Sequence, residues 1–234
     1  GIAVGLMLVA FGFKVGAAPF HLAAPDAYSG ASSPVAGLLA TASKAMGFVA
    51  LMRILVSVTM PIEGEAFWYT AIAVIAVVTM TWGNLAALTS SNPKRMLAYS
   101  SVSHAGYMLA GLAAIGSGLG SEEAIELVLT AIVFHLAVLV IFKFGAFLVL
   151  SLLETEGRSH RLEDLHGLAR RDPLVAGSMF LFMLSLAGVP PLSGFLSKFL
   201  MINGIVNISA GTGASDATSV IDWLSSVEPV FWLA

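Results

Sequence analysis

The sequence predicts an all-α fold, a polytopic bundle of transmembrane helices. Of its 234 residues, 58% are hydrophobic and 11% are charged, and the mean hydropathy is +0.92, whereas about a quarter of the residues in soluble domains are charged. About seven apolar segments recur, each near or above the roughly 20 residues that span a bilayer unless it lies at a chain end. Helices satisfy their own backbone hydrogen bonds in lipid, so these segments are predicted to be helical.

The predicted spans are joined by loops that are charged or rich in Gly, Ser and Pro. In chain order, the apolar segments cover residues 2–18, 34–58, 66–89, 96–116, 124–153, 173–207 and 220–234. The chain does not begin with Met, and its last residue lies within an apolar segment. Residues 1–234 are therefore expected to be one membrane domain, cut from a longer protein at both ends.

Two of the spans are predicted to be discontinuous. The 173–207 segment would be roughly 50 Å long as one helix, against a hydrocarbon thickness of about 30 Å. Pro190 and Pro191 lie in its middle, and Pro19 ends the first segment; proline lacks the backbone donor and clashes with the preceding turn. A packing kink would explain such prolines. Non-helical backbone beside an ionisable residue instead indicates an ion site.

Lysines inside the apolar segments are the strongest functional signal. They are Lys14, Lys44, Lys143 and Lys198. A lysine near the bilayer centre costs roughly 2.5–3.5 kcal/mol on insertion scales. Snorkelling to the headgroups explains a lysine near a helix end, but Lys44 lies roughly 15 Å from the inner end of its predicted helix, near the midplane. Lys94, in contrast, is predicted to lie in a loop where water screens its charge.

Histidines complete this polar set. His135 and Lys143 are eight residues apart, about 80° apart around a helix, so both can face one crevice. His21 follows Lys14, and His104 follows Tyr99. A lone membrane histidine is usually a hydrogen-bond partner of another helix. Histidines interleaved with buried lysines instead predict a lateral proton relay.

The loops carry a signal of sidedness. The 89–95 and 154–172 loops hold the basic residues Lys94, Arg95, Arg158, Arg161, Arg170 and Arg171. The intervening loops hold Glu63, Glu65, Glu122, Glu123 and Asp216 and contain no Lys or Arg. Because loops rich in Lys and Arg stay on the cytoplasmic side, we expect the two basic loops and the 19–33 loop there.

Composition excludes several kinds of site. The chain has no Cys, which excludes disulfides, thiolate nucleophiles and Cys-ligated iron–sulfur clusters. No metal site is predicted. The net charge of −3 and the dispersed basic residues do not favour nucleic acid as a partner.

Several ordered runs of residues carry a resemblance to a known family. They are Phe13-Lys14, Pro19-Phe20-His21, Pro25-Asp26-Ala27-Tyr28, Leu39 to Lys44, Asn92 to Ser101, Ser103 to Tyr107, Ala187 to Pro191, Gly194-Phe195 and Lys198-Phe199. Together they resemble the antiporter-like, proton-translocating membrane subunits of respiratory complex I. Lys198-Phe199 and the run from Tyr99 to His104 favour one particular subunit of that complex.

The resemblance implies roles for individual residues. Lys14 would be the switch, Lys44 the central proton carrier and Lys198 the outlet. His135 and Lys143 would link the centre to the outlet, while His21 and Tyr99 would be polar partners of the channel. A glutamate that pairs with the Lys14 equivalent would lie on a helix before Gly1.

The resemblance also implies an assembly in an energy-transducing membrane, the plasma membrane of a prokaryote. The chain would be a subunit of a proton-pumping NADH:quinone oxidoreductase, a translocase, and would itself bind no cofactor. NADH or another reduced donor, FMN, iron–sulfur clusters and quinone would belong to partner subunits. Its partners would be the other membrane-arm subunits and the lipid bilayer.

Two departures from the family pattern leave alternatives open. Ala23 stands where the family usually has Trp, and Leu139 stands where some subunits have a second histidine. A D-type component of a multisubunit sodium(cation)/proton antiporter is the first alternative. A non-conducting scaffold is the second, and it predicts that the buried lysines can be replaced without loss of pumping.

Overall fold

The computed structural model describes residues 2–59, 66–157 and 161–210. Within these ranges the regular structure is helical and includes no strand, which confirms the predicted all-α fold. Four described segments are long and apolar enough to cross a membrane: Ile2–Gly30, Ser33–Ser57, Trp68–Leu88 and Glu122–Thr155. The predicted span at 220–234 lies outside the described residues.

The helices are numbered here in chain order. They are α1 (Ile2–Val15), α2 (Ala23–Gly30), α3 (Ser33–Ala40), α4 (Ala42–Ile54), α5 (Ala66–Leu88), α6 (Pro93–Ile115), α7 (Glu122–Thr155), α8 (Leu168–Arg171), α9 (Pro173–Ala187) and α10 (Ser193–Ala210). Short 3-10 turns cover Phe20–Leu22 and Leu162–Leu165, and a π-helical turn covers Leu55–Thr59.

The first predicted break is present between α1 and α2. Helix α1 ends at Val15, and Gly16 follows with a φ of +74°, a conformation that glycine adopts without steric cost. The prediction of a loop over residues 19–33 is wrong, because most of this stretch forms a 3-10 turn and α2. Tertiary contacts outweigh its loop-like composition: Tyr28 is buried, and its hydroxyl donates to the Leu39 carbonyl at 3.1 Å.

The second predicted break separates α9 from α10. Helix α9 ends at Ala187, Gly188 follows with a φ of +87°, and α10 begins at Ser193. The long 173–207 segment is therefore two half-helices, as its length and the Pro190-Pro191 pair predict.

A further interruption lies at Thr41, between α3 and α4, and no proline in the sequence predicts it. The Thr41 hydroxyl donates to the Gly37 carbonyl at 2.7 Å, and the Thr41 N–H donates to the same oxygen at 3.1 Å. Such back-bonding by a threonine hydroxyl bends helices. The interruption lies one turn before Lys44.

Helix α6 lies at the centre of the described bundle. Most of its residues are buried, and it packs against α2, α5, α7 and α10. It is also more polar than α5, α7 and α10, with serines, a histidine and a tyrosine in its middle. A polar helix at this position is shielded from lipid by the apolar helices around it.

The prediction that Lys94 lies in a water-screened loop is wrong. Asn92 caps α6 with its side-chain oxygen, which accepts from the N–H groups of Lys94 and Arg95, so the helix begins at Pro93 and Lys94 lies in its first turn. The Lys94 side chain is only 4% exposed. Its ammonium forms a 2.5 Å ion pair with Glu154 and donates to the Ala31 carbonyl at 2.9 Å.

The basic loops meet at one end of the bundle. The Leu162 N–H donates to the Ser91 carbonyl at 2.9 Å, and the Ser33 N–H donates to the Glu154 carboxylate at 3.0 Å. The turn after α2, the start of α6 and the end of α7 therefore share this end, as the alternation of basic and acidic loops predicts. Its cytoplasmic location remains a prediction.

Cysteine labelling tests that location. We expect a cysteine at Arg161 to react with a membrane-impermeant thiol reagent only from the cytoplasmic side, and one at Leu119, between α6 and α7, only from outside. The chain has no native Cys to interfere. Labelling of both positions from one side would refute the topology and the midplane depth assigned to the lysines.

Candidate functional site

One face of α6 carries a row of polar side chains. Ser100, His104 and Tyr107 are spaced i, i+4 and i+7, so they lie above one another on the helix. Ser101 adjoins this face. Each of the four contacts an ionisable residue of another helix. Helix α6 is thus the element that joins the candidate proton carriers.

Lys44 of α4 contacts α6 and the first helix break. It is 3% exposed, and its ammonium donates to the Ser101 carbonyl at 2.7 Å. The ammonium also lies against Gly16, where an added Cβ would be only 3.4 Å from Nζ. The break after α1 is close to Lys14 in the sequence, but in the folded chain the ammonium of Lys44 also lies against it.

Lys143 of α7 reaches the neighbouring residue of α6. It is fully buried, and its ammonium donates to the Ser100 hydroxyl at 3.3 Å. Consecutive residues of α6 therefore accept hydrogen bonds from Lys44 and from Lys143. The two lysines that lie deepest in the predicted spans therefore contact the same short segment of α6.

The histidines form a hydrogen-bonded run from α6 through α7 to α10. His104 Nδ1 is 3.1 Å from His135 Nε2, and His135 Nδ1 is 2.9 Å from the Ser197 hydroxyl. Both histidines are buried. His135 and Lys143 thus both face α6, as their spacing predicts.

The ammonium of Lys198 lies at the second helix break, where it donates to the carbonyls of Leu186 and Ala187 at 2.8 and 3.1 Å. In a continuous helix these carbonyls would accept from the N–H groups four residues later. Those residues are Pro190 and Pro191, which have no N–H. The proline pair thus leaves two carbonyls open at the negative end of α9, where a cation is favoured.

Tyr107 and two cavities complete the surroundings of Lys198. The ammonium lies 5.5 Å from the centre of the Tyr107 ring, within the range of a cation–π contact. A cavity of about 580 Å³ is lined by Ser100, His104, Tyr107 and Lys198 and extends to Ser90 near the basic loops. An apolar cavity of about 500 Å³ adjoins Tyr107 and Lys198 on another side. Water has room to reach this part of the row.

Three of the predicted site residues lie away from this row. The Lys14 side chain is exposed on the described part of the chain, and its ammonium donates to the Ser43 hydroxyl at 2.9 Å. His21 is buried with its ring edge-on to Trp82, at a centroid distance of 6.1 Å. Tyr99 is half-buried and lies about 140° around α6 from His104. The structure brings together the other five: Lys44, Lys143, Lys198, His104 and His135.

The hydroxyl groups in the row were not predicted from the sequence as site residues. They belong to Ser100 and Ser197, and the Ser101 carbonyl and the Tyr107 ring are further partners of the lysines. One signal was available: a polar side chain in an apolar helix requires a hydrogen-bond partner. The identity of that partner depends on how the helices pack.

Comparison with known proteins agrees with the resemblance. Residues 2–221 match the transmembrane family described as NADH:quinone oxidoreductase/Mrp antiporter. The NADH-quinone oxidoreductase subunit N of Heliobacterium modesticaldum is 44% identical over 206 residues, which are 88% of this chain and 42% of that protein. Subunit N 2 of Roseiflexus castenholzii is 48% identical over 198 residues, 83% of this chain and 38% of that protein.

Solved structures include both kinds of assembly that the sequence leaves open. A chain of respiratory complex I from Thermus thermophilus is 37% identical with a TM-score of 0.70, covering 88% of this chain and 43% of its own length. A chain of the Mrp complex from a Dietzia species is 31% identical with a TM-score of 0.78, covering 89% of this chain and 37% of its own length. The predicted likeness to N-type subunits is confirmed, and this chain spans about two fifths of the relatives it matches.

Proposed function

This chain belongs to the NADH:quinone oxidoreductase/Mrp antiporter family of transmembrane proteins, and we propose that it is the proton-translocating part of a complex I membrane subunit of the N type. It is a multi-pass membrane protein, and the relatives named above are bacterial, consistent with a prokaryotic plasma membrane. Its partners would be the other membrane-arm subunits. NADH, FMN, iron–sulfur clusters and quinone would act in partner subunits.

The observation that carries the proposal is the run of contacts along α6. Lys44 and Lys143 contact consecutive residues of that helix, His104 and His135 are hydrogen-bonded across to α10, and Lys198 lies against Tyr107. All of these side chains bind and release protons or donate and accept hydrogen bonds. Buried in an apolar bundle, they offer a lateral path that lipid and the surrounding helices do not.

Electrostatic coupling between the lysines would drive the transfer. Unit charges roughly 10 Å apart interact by about 1.7 kcal/mol at an effective dielectric constant near 20, which exceeds the energy of one pKa unit. A charge change at Lys14, the switch, would therefore alter proton binding at Lys44, the central carrier. Lys143 and His135 would pass the change towards Lys198, the outlet.

A cation/proton antiporter component remains the second candidate function. The likeness to the Mrp chain favours it, because that chain shares the fold over the matched part. The two functions differ in their driving force. Mass spectrometry of the purified assembly would find quinone-reductase and iron–sulfur subunits in the first case and small antiporter subunits in the second.

The proposal is tested by replacing His135 with Gln, which can form hydrogen bonds but cannot carry a proton at neutral pH. We expect NADH-driven proton uptake into vesicles containing the complex to fall on the order of tenfold, less than the full loss of a positioned proton carrier because cavity water offers a bypass. Quinone reduction should fall with it if the two are coupled.

His166→Gln is the matched control, because His166 is exposed in the loop before α8. We expect the control to pump normally. Assembly of each variant is checked on native gels. Normal pumping by an assembled His135→Gln complex would contradict the relay.

A further inference from the structure

We propose that Ser197 is a positioning residue that determines which ring nitrogen of His135 carries the proton, and that it thereby gives the histidine pair a direction. The role in proton transfer rests on the proposed function, whereas the assignment of the His135 proton rests only on the hydrogen-bond geometry. Ser197 is fully buried in the first turns of α10. Its hydroxyl lies 3.0 Å from the Gly194 carbonyl and 2.9 Å from His135 Nδ1.

The number of protons available assigns the hydrogen bonds. A serine hydroxyl has one proton to donate, and a backbone carbonyl can only accept. The contact with Gly194 is therefore a hydrogen bond only if Ser197 donates to it. The contact with His135 is then a hydrogen bond only if His135 donates, so Nδ1 of His135 carries a proton. If Ser197 donated to His135 instead, the Gly194 and Ser197 oxygens would face each other with no proton between them.

The assignment extends to His104. With its proton on Nδ1, a neutral His135 has a lone pair on Nε2. The 3.1 Å contact between Nε2 of His135 and Nδ1 of His104 is then a hydrogen bond in which His104 donates. A neutral His104 therefore accepts at its own Nε2. His104 also lines the 580 Å³ cavity, so water there can supply a proton to this side of the pair.

Proton transfer along this array has one direction in the resting state. A hydronium ion in the cavity gives a proton to Nε2 of His104, and His104 passes its Nδ1 proton to Nε2 of His135. His104 is then neutral again, and His135 is an imidazolium whose Nδ1–H still donates to the Ser197 hydroxyl oxygen. While the Ser197 hydroxyl donates to Gly194, it blocks onward transfer. Ser197 thus lets His135 load from the cavity side and holds the proton there.

The test is the tautomer of His135, which is measured without turnover. The full-length protein, labelled with ¹⁵N and ¹³C histidine, is reconstituted in proteoliposomes, and imidazole chemical shifts are recorded by solid-state NMR at a pH where the rings are neutral. The His135 signals are identified as those missing from the His135→Gln spectrum. We expect His135 to carry its proton on Nδ1 in the unmodified protein.

Variants separate positioning from a general effect of losing a buried serine. Ser197→Ala should make the Nε2-protonated form of His135 the major one, and Ser197→Thr, which keeps the hydroxyl, should restore the Nδ1 form. Ser185→Ala, at another fully buried serine, should leave the tautomer unchanged. An Nε2-protonated His135 in the unmodified protein would overturn the inference even if the variants failed to fold. An unchanged tautomer in Ser197→Ala would also overturn it, whatever the outcome of the pumping assay.

Discussion

Replacement of Lys44 by Ala is expected to reduce NADH-driven proton uptake about 100-fold, the lower end of what a positioned proton carrier contributes. Quinone reduction that is coupled to pumping should fall with it. Lys44 is the buried lysine at the junction of α4, α6 and the break after α1. We expect its removal to leave the assembly intact or more stable, because the desolvation cost of a buried charge is lost with it. The measurement is proton uptake into vesicles containing the full-length protein in its complex.

Two other replacements show what Lys44 contributes. Arginine keeps the positive charge but does not release a proton, so Lys44→Arg should also fail to pump. Methionine keeps the volume without the charge and should behave like alanine. Arg95→Ala is the control, because Arg95 forms a surface ion pair with Asp26, and such pairs contribute little. Pumping by Lys44→Arg at the normal rate would mean that the charge, and not proton transfer, is what matters.

Replacement of Pro190 and Pro191 together by Ala is expected to reduce pumping on the order of tenfold with Lys198 still in place. The new N–H groups can pair with the Leu186 and Ala187 carbonyls and extend α9. Lys198 would then lose both of its carbonyl partners. Proton uptake into vesicles, with quinone reduction measured alongside, reports the effect.

The proline at the start of α9 is the matched control. Pro173 is at the first position of α9, where the backbone N–H has no helical partner in any case. Pro173→Ala should therefore pump normally. Lys198→Ala should impair pumping as the double proline replacement does. Normal pumping by the double variant beside a defective Lys198→Ala would leave the lysine functional and refute the role of the break.

The outcomes at Lys94 and α2 show the limits of local sequence patterns. Both stretches have the charged, Pro- and Ser-containing composition of loops, and both were predicted to be loops. Asn92 with Pro93 is a helix-start signal that could have placed Lys94 in α6. The burial of Lys94 could not be inferred in this way, because its partners Glu154 and Ala31 lie about 60 residues away in the chain. Helix α2 likewise depends on contacts with distant segments.

The sequence by itself determined the helical membrane fold, the two proline breaks and the set of buried lysines and histidines. These features follow from composition, segment length and the missing proline N–H. Each of these is a local property of the chain, so its effect can be predicted without knowing how the helices pack. Only the tertiary structure decided which of those residues meet. It placed the ammonium of Lys44 against the first break, brought His104 to His135, and added Ser100, Ser197 and Tyr107 to the row. Hydrogen bonds need partners within about 3 Å, and the rotation and depth of each helix, which set those distances, are fixed by packing against the other helices.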